Sequence, residues 1–179
     1  MVKKLITNFH ASSIYDIDPQ TIKNLGYETV FADVDNTLAK YNLLQPEKRT
    51  FEFIDAYHAL GLEVILISNN TYKRVRPYAE KLHTKYIFSA HKPLSRKFKQ
   101  YIIAHSIDPK TSVLIGDQLL TDRYMASGAK VDFILTEPLV KIDQWTTKFN
   151  RLIDRPLRRK YLKQGRLGPD ISKEEKENN

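Results

Sequence analysis

The sequence predicts an α/β domain in which helices cover both faces of a central, mostly parallel sheet, a three-layer sandwich. Two observations carry this reading. Short β-branched apolar runs alternate with longer stretches of helical periodicity, and residues with chemistry stand where those runs end. In chain order, a helix is expected at about 19–25, where Asp18 offers an N-cap, Pro19 takes the first helical position and Gly26 stops it. A strand near 29–33 closes on Asp33, and a helix at 47–60 ends at Gly61. The continuous Val-Ile-Leu-Ile run within 63–68 reads as a strand buried on both faces, and it ends at Ser68-Asn69-Asn70. A helix at 71–83 leads to a strand at 85–88, which Lys92 follows. Then come a helix at 94–105, a strand at 112–116 ending on Gly116-Asp117, a helix at 119–127, a strand at 131–136 and a helix at 144–153.

The chain has 179 residues, enough for one domain with a real core, and we divide it into a domain over 1–155 and a basic, then polar, tail over 156–179 that is partly disordered. With no cysteine, a disulfide framework, a thiol nucleophile and a cysteine-based zinc site are excluded. Any metal is therefore held by oxygen or by histidine, and the five histidines lie on different elements without ligand spacing. The opening residues are too interrupted for a secretory signal, and no run is long enough to span a bilayer. The expectation is a cytoplasmic protein, peripheral at most to the inner face of the membrane. The net charge of +8 suits nucleic acid, anionic lipid or phosphorylated substrate alike.

In open parallel sheets ligands bind beyond the carboxyl ends of the strands. Asp33 and Asp35, two apart at such an end, begin on one face, so Asp33 can attack a phosphoryl group while Asp35 gives and takes protons. Two close carboxylates repel, and a hard cation with oxygen ligands relieves that, which gives Asp117 on a neighbouring strand its importance. Mg2+ fits this set best. Ser68 and the backbone N–H of Asn69 can donate to phosphate oxygens, although Ser68 would serve equally well as a helix cap. Lys92 adds positive charge, and Thr37 supports the loop. Asp122 either reaches the outer shell of the metal, pairs with Lys92, or is an ordinary acid in a first helical turn.

Asp33 to Thr37, Ser68, Lys92, and Gly116-Asp117 followed by Asp122 resemble the four motifs of the haloacid dehalogenase (HAD) superfamily of phosphatases, subfamily IIIA. The resemblance implies a Rossmann-like fold, an aspartyl-phosphate intermediate, and magnesium held by Asp33, Asp117 and the backbone carbonyl of Asp35. The segments Ser13 to Pro19, His91-Lys92-Pro93, Gly116 to Asp122, and Pro138-Leu139-Val140 with Asp143 and Trp145 look like its YqeG-type branch. That branch is related to mitochondrial phosphatidylglycerophosphate phosphatases, and the likeness extends over roughly residues 1–155.

Only 34 residues separate Asp33 from Ser68 and 23 separate Ser68 from Lys92, leaving no room for a cap domain. In the family, a capless site goes with large substrates, and water exclusion then falls to the substrate, a partner or another subunit of an oligomer. Phosphatidylglycerophosphate is the leading substrate, ahead of a phosphoprotein, a nucleic-acid end or a small metabolite. Residues 148–166 hold eight Lys or Arg against one acid, Asp154, with aromatic and aliphatic residues interleaved. Together with Trp145 they suit contact of 145–166 with an anionic bilayer, a helix packed on the sheet with a solvated tail, or, less well, a nucleic-acid surface. A basic RNA- or ribonucleoprotein-binding module on the same scaffold is the reading from another class.

Overall fold

The computed structural model describes residues 6–40, 43–140 and 145–172. Six parallel strands form its sheet, in the order β1-β6-β5-β2-β3-β4: β1 Phe9–Ala11, β2 Thr29–Asp33, β3 Glu63–Ile67, β4 Lys85–Ile87, β5 Ser112–Gly116 and β6 Asp132–Thr136. Helices α1 Pro19–Asn24, α2 Lys48–Ala59, α3 Tyr72–Lys81, α4 Arg96–Ala104, α5 Tyr124–Ala129 and α6 Trp145–Lys163 complete the α/β, Rossmann-like sandwich.

Strand pleating sorts the core into two layers. On one face Val30, Ala32, Val64, Leu66, Val113 and Ile115 pack with Ile22, Phe53, Ile54, Tyr57 and Tyr78, from α1, α2 and α3. On the other, Phe31, Ile65, Ile67, Leu114 and Phe133 meet Phe98, Ile102, Met125 and Ala126 from α4 and α5, with Leu157 and Tyr161 of α6 at its margin. All five positions of β2 and of β5 are buried, as central parallel strands require.

Three local features differ from expectation. A short edge strand, β1, pairs with β6 in the register Phe9↔Ile134 to Ala11↔Thr136, where the sequence suggested none. The segment after Asp117 is not one helix. It makes a π-helical turn over Leu119–Arg123 before α5 begins. Helix α6 runs on through Pro156 to Lys163, so the boundary set at 155 falls inside it, and residues up to Ser172 are held against the domain. There His10 N–H donates to Pro169 O (3.0 Å) and Ile171 N–H to His10 O (2.9 Å). The last residues of the expected tail, 173–179, lie outside the described residues.

Among the described residues no helix is long and apolar enough to cross a membrane. The interval from Asp33 to Ser68 is taken up by a loop, α2 and β3, and that from Ser68 to Lys92 by α3 and β4. No inserted domain is found there among the described residues.

Candidate active site

The order of the sheet reverses between β2 and β5: the chain leaves β2 toward β3 and β4, then crosses back to β5 and β6. Such a switch point parts the flanking connections and opens a crevice at the strand ends. Asp33 ends β2, Asp117 follows β5, and both are buried.

Past Asp33 the chain folds back on itself in a tight loop. Leu38 and Ala39 donate to Val34 O (3.1 and 2.8 Å) and Asn36 N–H donates to Ala39 O (2.6 Å), while Asn36 sits at φ +68°, a left-handed conformation that asparagine tolerates. Tyr15 braces this loop from outside, its hydroxyl donating to Leu38 O and lying 3.0 Å from Thr50 Oγ1. Thr37 is buried, and its Oγ1 has no hydrogen-bond partner.

Lys92 reaches into the crevice after β4. Its ammonium donates to Asp33 Oδ1 and to Asp122 Oδ1, the latter at 2.7 Å, and all three side chains are sealed from solvent. Asn69 fixes the lysine backbone, accepting from Lys92 N–H (2.8 Å) and donating to Lys92 O (3.4 Å). Asp122 is placed by the π-helical turn, its second oxygen accepting from Gln118 N–H (3.1 Å). Gly116 makes room for it, since a Cβ there would lie 2.6 Å from the Asp122 carboxylate.

Each of Asp33, Asp117 and Asp122 offers a carboxylate oxygen within 4.8 Å of the others. Asp35 takes no part in this trio. Its Oδ2 accepts from Ser68 Oγ (3.0 Å) and from Asn70 Nδ2 (2.8 Å), while its buried Oδ1 has no partner. Burial pushes the Asp33 carboxyl up to about 7, with Asp122 and Asp35 adding to the effect and Lys92 opposing it. For the Lys92 ammonium, burial works downward, but Asp122 and Asp33 outweigh it and hold its pKa above the ordinary lysine range.

The structure thus gathers Asp33, Lys92, Asp117 and Asp122 at one point, with Asp35, Ser68 and Asn69 beside it. Of the meanings open to Asp122, it has the lysine partner, and it also completes the acidic trio. Three contributors escaped the sequence reading as site residues. Asn70 reads in the sequence only as part of a strand end, yet it donates to Asp35. Tyr15 lies 18 residues before Asp33 in the chain. Arg158 comes from α6 to donate to Asp117 O and Thr136 O, both at 2.8 Å, and pairs with Glu137. No local pattern marks Arg158 among its basic neighbours.

No protein-family model matches the chain. Two solved structures share its fold: an uncharacterized protein from Listeria monocytogenes serotype 4b (TM-score 0.51, 17% identity, 76% of this chain and 98% of that one) and a hypothetical protein from Xanthomonas campestris (TM-score 0.50, 12% identity, 72% of each). Among curated proteins, the probable phosphatase YqeG of Bacillus subtilis is 28% identical over 168 residues, which cover 93% of this chain and 98% of that protein. Over nearly its whole length, then, the chain is similar to a probable phosphatase. In this chain the motif residues stand at the carboxyl ends of β2, β3 and β5 and beyond β4, on the rim where the sheet order reverses.

Proposed function

We propose that this chain is a HAD-type phosphatase, a magnesium-dependent phosphomonoesterase that works through an aspartyl-phosphate on Asp33, with phosphatidylglycerophosphate as its leading substrate. The observation that carries the reading is the buried Asp33, in contact with Lys92 and within a trio of carboxylates. Three buried oxygen donors without nitrogen or sulfur suit a hard divalent ion. Asp33 and Asp117 would hold magnesium together with the backbone carbonyl of Asp35, and Asp122 stands beside them. When bound, the ion supplies positive charge that draws the phosphoryl group in and keeps Asp33 ionised.

A carboxylate oxygen of Asp33 forms a bond to phosphorus as the bond to the leaving oxygen breaks, and Asp35 protonates that oxygen through Oδ1, the atom without a partner. Asp35 then takes a proton from water, whose oxygen attacks phosphorus as the bond to Asp33 breaks, releasing phosphate. Lys92 neutralises phosphoryl oxygens, and Ser68 and the Asn69 N–H donate to them. Asn70, through Asp35, and Asn69, through Lys92, are positioning residues.

The open rim supports a large substrate, and the resemblance to the YqeG-type branch supports the lipid. The same reading takes the protein to be cytoplasmic and to meet the inner face of the membrane through 145–166, supported by the charge of +8. The test is phosphate release from phosphatidylglycerophosphate in mixed micelles, with and without magnesium, by wild type and Asp33→Asn. Turnover that needs both the ion and Asp33 is expected. Hydrolysis of an aryl phosphate with none of the lipid would remove the lipid assignment and leave the phosphatase.

A further inference from the structure

Beside the crevice, past Asp117, lies a second hollow of about 670 Å3 between the ends of β1 and β6 and the underside of α6. Its apolar lining includes Ala11, Leu135, Pro138, Leu162 and Leu167. Arg155, Arg158 and Arg159 reach it from one face of α6, as their spacing of three and four residues dictates.

Several charges in its wall are committed. Arg158 is tied to Glu137, Asp117 O and Thr136 O. Asp154 accepts from Leu120 N–H (3.0 Å), and Asp170 accepts from Ser172 N–H (2.9 Å) and Ser172 Oγ (2.7 Å), with His10 Nε2 at 3.6 Å. Arg159 is exposed and makes no hydrogen bond or ion pair among the described residues. An arginine in the wall of a hollow with apolar lining, next in sequence to Arg158, which holds the Asp117 carbonyl, is suited to an anionic group on an apolar frame.

We propose that this hollow holds the end of the substrate that does not react, and that Arg159 binds a second anionic group there, a phosphodiester. The inference rests on the phosphomonoesterase reading above and adds how substrate is chosen. A phosphomonoester that also carries a phosphodiester spans both sites, with its reacting phosphoryl group at Asp33 and its diester under α6. One with a single anion leaves the hollow empty. The specificity is for the diester, whether or not acyl chains are attached to it.

The experiment compares kcat/KM for glycerol 3-phosphate, for glycerophosphoglycerol phosphate, and for the dioctanoyl ester of the latter. Wild type, Arg159→Ala and Arg159→Lys are assayed in magnesium. One charge-assisted hydrogen bond corresponds to about tenfold, so wild type is expected to prefer the soluble diester over glycerol 3-phosphate by about tenfold or more. Arg159→Ala should remove most of that ratio through KM, and Arg159→Lys should keep part of it. Because the ratio is taken within one variant, misfolded material cancels. A wild type without preference for the soluble diester, a preference that needs the acyl chains, or an Arg159→Ala ratio equal to that of wild type each overturns the proposal. No turnover of any ester would instead remove the parent reading, and the inference with it.

Discussion

Lys92 lies between two buried carboxylates, and its charge keeps both of them in the interior. Losing it leaves Asp33 and Asp122 without a counter-charge, so Lys92→Met should lower stability by about 3 kcal/mol in urea denaturation of the metal-free protein. A loss under about 1 kcal/mol would mean that the pairs behave as surface pairs do. Asp35 bears no such burden, since its partners are Ser68 and Asn70. Asp35→Asn retains oxygen and nitrogen at that point but cannot move a proton, so turnover should fall by about 10²–10⁴-fold with little change in melting temperature. Equal loss of fold and activity would assign Asp35 a structural role instead. At this scale the sequence was legible wherever a residue stands at the end of a strand. Asp33, Ser68 and Asp117 could be placed because a buried parallel strand delivers its last residues to one rim. Asp122 was harder, because its position depends on a π-helical turn whose extra residue per turn no propensity announces. Asn70, Tyr15 and Arg158 reach the site through tertiary packing, which spacing along the chain does not encode.

Helix α6 fastens the loop after β5 from above. Arg158 holds the Asp117 carbonyl, and Asp154 accepts from Leu120 N–H, so one helix grips the chain just before and just inside the start of the π-helical turn. Burial raises the Asp154 carboxyl above its ordinary value, with the Leu120 N–H and Arg158 opposing the shift. A raised folded value means that the ionised form is penalised in the native state. The stability tied to this group is whole below pH about 4 and is lost as pH rises through the folded value. Asp154→Asn keeps an oxygen for Leu120 N–H without the charge. Its melting temperature should therefore gain on wild type between pH 4 and 7, and a difference that stays constant over that range would contradict the burial argument. The strand and helix order was readable from periodicity. Strand β1 was not, because three residues, Phe9 to Ala11, are too few to show alternation. The continuation of α6 past Pro156 was also hidden, since proline inside a helix removes a donor and usually marks an end.

At the scale of the whole molecule, the site exists because two halves of the sheet diverge at β2 and β5, and the outer edge is closed by residues from the far end of the chain. Gly168 allows that closure: any side chain there would run into the backbone of Asn8 and Phe9. Gly168→Ala should cost about 1–3 kcal/mol of thermal stability by overpacking, readable by calorimetry. An unchanged melting temperature would show that the segment lifts away freely. The end of the chain reads as a tail because its composition is basic and polar. What holds it is backbone hydrogen bonding along β1, and composition says nothing of that.

The same closure bears on the order in which the protein is made. Strand β1 leaves the ribosome first of the six, yet its inner neighbour β6 begins at Asp132 and its outer partners are Pro169 to Ile171. Asp33, Ser68, Lys92, Asp117 and Asp122 have all been synthesised before either side of β1 can pair. The residues of the crevice are thus all present on a nascent chain whose first strand is still waiting for its place, with both edges open to any other chain nearby.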